Sequence, residues 1–217
     1  MCGRFALYSD VSTLARSLGM PLAEPELAPR YNVPPGTWIR SVRRGDDDAP
    51  CLDALWWGYR PGWADEKAPQ PINATAEKVA TSAYFRDAFA HRRCLVPANG
   101  WFEWLNVDGR KQPHYLTRED GEPLWMAGLW AERPDGRLGC AIITEPARGA
   151  AAAVHPRMPL VLDQPSLEPW LDAELTQRDA IRRRVRHLTP EALIHWPVSA
   201  RVNKPVEDDA GLIEPEG

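Results

Sequence analysis

The most reactive arrangement in this sequence lies at its start, where Cys2 follows Met1. Removal of Met1 would leave an amine and a thiol on adjacent carbons. No internal cysteine offers that pair, because its nitrogen is tied in an amide. An α-amino group titrates at about 7.7–8.0 and a thiol at about 8.5, so a useful fraction of the amine is neutral near pH 7. Two reaction classes suit the pair. The thiolate can attack an amide or ester with the amine as base. In the other, the amine condenses with an aldehyde and the thiol closes onto the imine carbon, giving a five-membered thiazolidine. That closure is intramolecular, where effective molarities of about 10⁵ M are reached. The alternative for Cys2 is a buried residue behind a retained Met1.

Three further side chains could move protons or orient a substrate. His155, in Val-His-Pro-Arg-Met-Pro, sits at an element boundary because the residue before Pro avoids helix, and it is either an acid-base group or a structural histidine. Glu103 lies among Trp101, Phe102 and Trp104, where desolvation would raise its pKa; the alternative is a strand residue facing water. Asn73, in Pro-Ile-Asn-Ala-Thr-Ala-Glu, either orients a substrate through its amide or caps a helix. Trp63 and Trp104 stand near Gly- and Pro-containing turns and are candidate stacking faces for unstacked bases. Cys51, Cys94 and Cys140 fall in apolar runs and read as core. No cysteine pair has the Cys-x-x-Cys spacing of a zinc site, so no metal and no cofactor is expected.

These residues must be held by short elements, since 22 prolines are spread along the chain. Asp10 to Leu18 predicts a helix ending at Gly19. Strand patterns cover Trp38–Val42 and Leu52–Tyr59, then Cys94–Ala98, Trp101–Leu105, His114–Thr117, Leu124–Trp130 and Leu138–Thr144, with Leu193–Ser199 last. Ser82 to His91 is amphipathic, and Pro165 to His187 holds one or two helices. The fold class expected is α+β: one β-rich domain over residues 1–217, with a curved antiparallel sheet or barrel and peripheral helices.

Composition excludes several classes. With 217 residues, 44% hydrophobic and 26% charged, the chain is neither disordered nor a coiled coil. No apolar run reaches the roughly 18 residues of a membrane span, and no leader pattern opens the chain. The expectation is a soluble cytoplasmic monomer with no membrane and no obligate protein partner. Net charge is −4, yet residues 1–44 carry six arginines against Asp10, Glu24 and Glu26. Acid collects at Asp46–Asp48 and at Glu207–Asp209.

Seven segments in order carry a resemblance. They are Met1–Phe5, Arg30–Gly36, Trp57–Trp63, Ile72–Glu77, Asn99–Trp104, His155–Pro159 and Val198–Asn203. Together they resemble the SRAP family, the SOS-response-associated peptidase domain of abasic-site processing proteins. The resemblance implies a β-rich α+β fold and a crosslink from Cys2 to the ring-opened aldehyde of an abasic site in single-stranded DNA. It implies self-removal of Met1 and nucleoid association when bound to damaged DNA. It assigns the covalent role to Cys2, substrate orientation to Asn73, proton transfer near the forming ring to Glu103, and acid-base help in sugar opening to His155. Arg4 and Arg157 would hold phosphates, and Pro35, Trp63 and Trp104 would fill the bend left by the missing base. The family often has Arg where this chain has Thr75; that contact is missing or supplied elsewhere, with Arg86 a candidate. Two rivals predict other outcomes: an N-terminal nucleophile amidohydrolase, which also begins Met-Cys-Gly, and a non-enzymatic single-strand-binding module.

Overall fold

The computed structural model describes residues 2–21, 28–45 and 48–216. Met1, Glu24, Glu26, Asp46 and Asp47 of the expectations above lie outside the described residues. Among the described residues there are twelve strands. In chain order they are β1 (Phe5–Leu7), β2 (Arg30–Val33), β3 (Trp38–Arg44), β4 (Pro50–Trp57), β5 (Asn73–Thr75) and β6 (Arg93–Ala98). There follow β7 (Gly100–Val107), β8 (Arg110–Arg118), β9 (Leu124–Glu132), β10 (Leu138–Pro146), β11 (Arg157–Pro159) and β12 (Leu193–Pro197). Four α-helices join them: α1 (Val11–Leu18), α2 (Arg86–His91), α3 (Leu167–Leu171) and α4 (Arg178–Arg184). The α+β, β-rich class is what the sequence predicts.

Five strands close on themselves. β4 pairs β3, β3 pairs β6, β6 pairs β9, β9 pairs β10, and β10 returns to β4. The ring is antiparallel except where β10 runs parallel to β4. Closure removes free strand edges, and β5 and β11 extend the flanks of β10. A second sheet, fully antiparallel, has the order β12-β8-β7-β1-β2.

Burial on both faces explains why the predicted strand alternation is incomplete. In β7, Trp101 enters the main core, while Phe102 enters a second cluster with Ala6, Tyr115, Val198, Val202 and Leu212. That second cluster clamps the C-terminal segment onto the outer face of the sheet. The buried Asn32 reinforces it, donating to the carbonyls of Lys204 (3.0 Å) and Glu207 (2.7 Å). Cys94 and Cys140 are core residues; Cys51 is half-buried.

Local signals set the helix ends. The Asp10 carboxylate accepts from Thr13 N–H at 2.7 Å, which holds its pKa down, and Gly19 closes α1 in the left-handed region at φ 74°. The helix predicted over Ser82–His91 is regular only from Arg86. Residues 82–85 form a turn in which Tyr84 and Phe85 pack on Tyr59, with ring centroids 5.7 and 5.1 Å away. No helix is long and apolar enough to cross a membrane among the described residues.

Candidate functional site

The N-terminal run is held by a backbone approach that only glycine permits. β1 lies antiparallel to β7, with Phe5 opposite Trp101 and Ala6 opposite Gly100, and Phe102 N–H donates to the Arg4 carbonyl at 2.9 Å. A Cβ on Gly100 would fall 2.5 Å from the Leu116 carbonyl oxygen and the Tyr115 hydroxyl. This ladder carries Cys2 alongside β7, toward the end where Glu103 projects. Cys2 is fully buried. Burial pushes its thiol far above the ordinary range, and the Glu103 carboxylate, close enough to act through its charge, pushes it further.

Glu103 is itself only 3% exposed. Burial raises its pKa above the ordinary carboxylate range, and His155 is near enough to pull it partly back. Glu103 and His155 line one cleft of about 480 Å³ with Trp104, Lys111 and Asn203. His155 lies between a 3-10 turn (Gly149–Ala153) and β11, at the boundary that His-Pro predicts. Its Nδ1 is 3.0 Å from both the N–H and the C=O of Arg157. An unprotonated Nδ1 accepts from the N–H, and a protonated one donates to the carbonyl. Either state is thus matched on that side of the ring, which suits a group that exchanges protons.

Asn73 is placed by β5, in register with Ile142 of β10, and is a strand residue rather than a helix cap. Its Nδ2 donates to the Ile142 carbonyl at 3.4 Å, and its buried Oδ1 has no hydrogen-bond partner among the described residues. It lines a second hollow of about 290 Å³ with Thr75, Lys78, Tyr84 and Phe85. The link to the first cleft runs through Thr144 of β10. Thr144 pairs with Thr75, and its carbonyl accepts from Arg157 Nη2 at 2.6 Å.

Of the residues expected to meet DNA, two are already engaged with the chain itself. Arg4 Nη1 donates to Asn32 Oδ1 (2.6 Å) and to the Val202 carbonyl (2.7 Å). Arg157 forms a two-pronged ion pair with Glu77, at 2.6 and 3.1 Å. Trp63 is 69% exposed and meets Tyr84 edge-on at 5.6 Å, so it stands beside the Asn73 hollow. Arg86 is exposed at the start of α2. Pro35 is half-buried in the turn after β2, whose Val33 lies opposite Phe5. Trp104 is in the cleft, its indole N–H donating to Asn203 Oδ1 at 2.7 Å.

The structure therefore brings Glu103, His155 and Trp104 into one cleft, with Cys2 buried in the core beside it and close enough to Glu103 to feel its charge, and sets Asn73 and Trp63 one strand ladder away. Sequence reasoning gave no role to Lys111 or Asn203. Asn203 ends the Val198–Asn203 segment, which was its only signal; Lys111 had none. Among the described residues no group of three His, Cys, Asp or Glu side chains is gathered to hold a metal ion.

The chain is similar to known proteins along nearly its whole length. Residues 1–205 match the family described as SOS response associated peptidase (SRAP). The chain is 35% identical to the abasic site processing protein YedK of Escherichia coli, over 99% of this chain and all of that protein. It is 31% identical to the abasic site processing protein YoqW of Bacillus subtilis, over 99% of each. A crystal structure of a protein from Bacteroides thetaiotaomicron superposes with a TM-score of 0.85 over 99% of this chain and all of that one; at 20% identity it speaks to the fold alone.

Proposed function

The chain belongs to the SRAP family, and from that premise we propose that it processes abasic sites by capturing their aldehyde on Cys2. Met1 is first removed by hydrolysis, which frees the Cys2 amine. His155 assists opening of the closed abasic sugar by moving a proton from its anomeric hydroxyl to the ring oxygen. The amine adds to the aldehyde carbon, water leaves, and an imine forms. The thiol then adds across the C=N bond: sulfur bonds to carbon, and the thiol proton passes to nitrogen. One water is lost overall and nothing is oxidised or reduced. The adduct shields the lesion during the response to DNA damage.

Two features of the site support these steps. A thiol kept protonated by burial brings the proton that the imine nitrogen requires. A carboxyl whose pKa is raised by burial holds its proton more readily than an ordinary carboxylate, which suits the proton transfer proposed for Glu103. Single strands fit the reading because an unpaired site costs least to extrude, and Trp63 and Trp104 offer ring faces for neighbouring bases.

The observation that carries the reading is the placement of Glu103 within electrostatic reach of Cys2 on one side and His155 on the other. The test is incubation with single-stranded DNA holding one abasic site. A heat-stable shifted band is expected from the wild type and none from Cys2→Ala. A band of full intensity from Cys2→Ala refutes the mechanism.

A further inference from the structure

The two arginines expected to hold phosphates are committed within the fold, and the position that often carries a third is Thr75. Yet a strand threaded into the cleft must bring its phosphodiesters past the rim, where a cation would be favoured. The cleft has one. Lys111, on β8, is exposed, and its side chain makes no hydrogen bond or ion pair among the described residues. Asn203 stands with it in the cleft lining, at the end of a 3-10 turn (Ala200–Asn203).

The orientation of the Asn203 amide follows from its partner. An indole nitrogen can only donate, so the group 2.7 Å from Trp104 Nε1 must be the amide oxygen. The amide NH₂ is left with no acceptor among the described residues, and its two N–H groups remain available. The cleft lining thus combines an ammonium and a free amide donor beside a ring whose orientation that same amide fixes. The acidic residues of the neighbouring C-terminal segment are engaged elsewhere: Glu207 and Asp209 share Arg201, and Asp208 pairs with Arg30. Glu103, the acid inside the cleft, is buried beneath.

We propose that Lys111 and Asn203 form a phosphodiester-binding subsite in this cleft, holding a phosphate next to the lesion while Trp104 offers its ring to the adjacent space. The inference rests on the reading that single-stranded DNA is the substrate, and it names a contact that Arg4, Arg157 and Arg86 were expected to make.

The test separates binding from capture. Fluorescence anisotropy with a short single-stranded oligonucleotide carrying a tetrahydrofuran abasic analogue, which has no aldehyde, reads binding alone. The slope of log Kd against log salt should flatten by about 0.7 in Lys111→Gln, the release of one counterion fewer from a single strand. Lys111→Arg should restore it. Asn203→Asp keeps an acceptor for the Trp104 N–H but replaces the donor with an anion, and should bind more weakly than wild type at low salt. An unchanged slope in Lys111→Gln, or Asn203→Asp binding as tightly as wild type, overturns the subsite. Crosslinking to an aldehyde-bearing oligonucleotide is measured in parallel. If the slope changes as stated while the wild type forms no adduct, the subsite stands and the proposed capture falls.

Discussion

Replacing Glu103 by glutamine should stabilise the protein and silence it. The carboxyl is 3% exposed and its pKa is raised, chiefly by burial. The native state therefore prefers the neutral form, and ionisation near pH 7 works against folding. Below the ordinary carboxylate pKa, Glu103 is neutral in both folded and unfolded chains, and no charge is buried. As pH rises through that range toward the raised native value, the unfolded chain ionises first and stability falls. Above the native value the full penalty remains. The glutamine side chain of Glu103→Gln has nearly the same shape and no charge, so the variant should recover a penalty on the order of 1 kcal/mol, as for a partly compensated buried polar group. For a chain of this size that is a rise in Tm of about 2–4 °C. Thermal unfolding followed at pH 4 and pH 7.5 reads the effect: the gain should be present at pH 7.5 and shrink at pH 4. Crosslinking to abasic single-stranded DNA should meanwhile slow by about 10²-fold or more, as for loss of a general acid-base. A variant less stable than wild type at pH 7.5, or as fast in crosslinking, would exclude Glu103 as a buried acid-base group.

Gly100→Ala should be severely destabilising, by about 3 kcal/mol or more, because the new methyl meets the Leu116 carbonyl oxygen at 2.5 Å and neither strand can yield without breaking the β1–β7–β8 ladder; denaturant titration checks this. Glu77→Gln should release Arg157 from its ion pair and raise affinity for single-stranded DNA a few-fold, with a steeper salt dependence. Equal affinity would place Arg157 outside the phosphate contacts. Trp63→Ala should leave stability within about 0.5 kcal/mol, since the ring is 69% exposed, yet weaken binding of single strands, where one base stack is worth about 1–3 kcal/mol.

What could be read from sequence depended on run length. Strands of five or more residues, such as Leu124–Glu132 and Leu138–Pro146, carry enough apolar positions to show themselves. β1, β5 and β11 have three residues each and show no period, yet they place the residues after Cys2, Asn73 and Arg157. Asn73 consequently read equally well as a helix cap. The candidate residues Cys2, Glu103 and His155 were legible because they are marked by their immediate neighbours: Met, three rings and Pro. The cations were not, because a charge is spent by partners distant in sequence. Asn32 lies 28 residues from Arg4, and Glu77 lies 80 residues from Arg157. The reverse holds for Lys111, which nothing local distinguishes and which the β7–β8 hairpin carries into the cleft.

Capture on Cys2 is read by intact mass before and after exposure to single-stranded DNA with one abasic site. The expected masses are those of a protein lacking one methionine and, after exposure, of a species heavier by the oligonucleotide less one water. Recovery of the unmodified mass from a preparation whose Cys2 amine is free would contradict it.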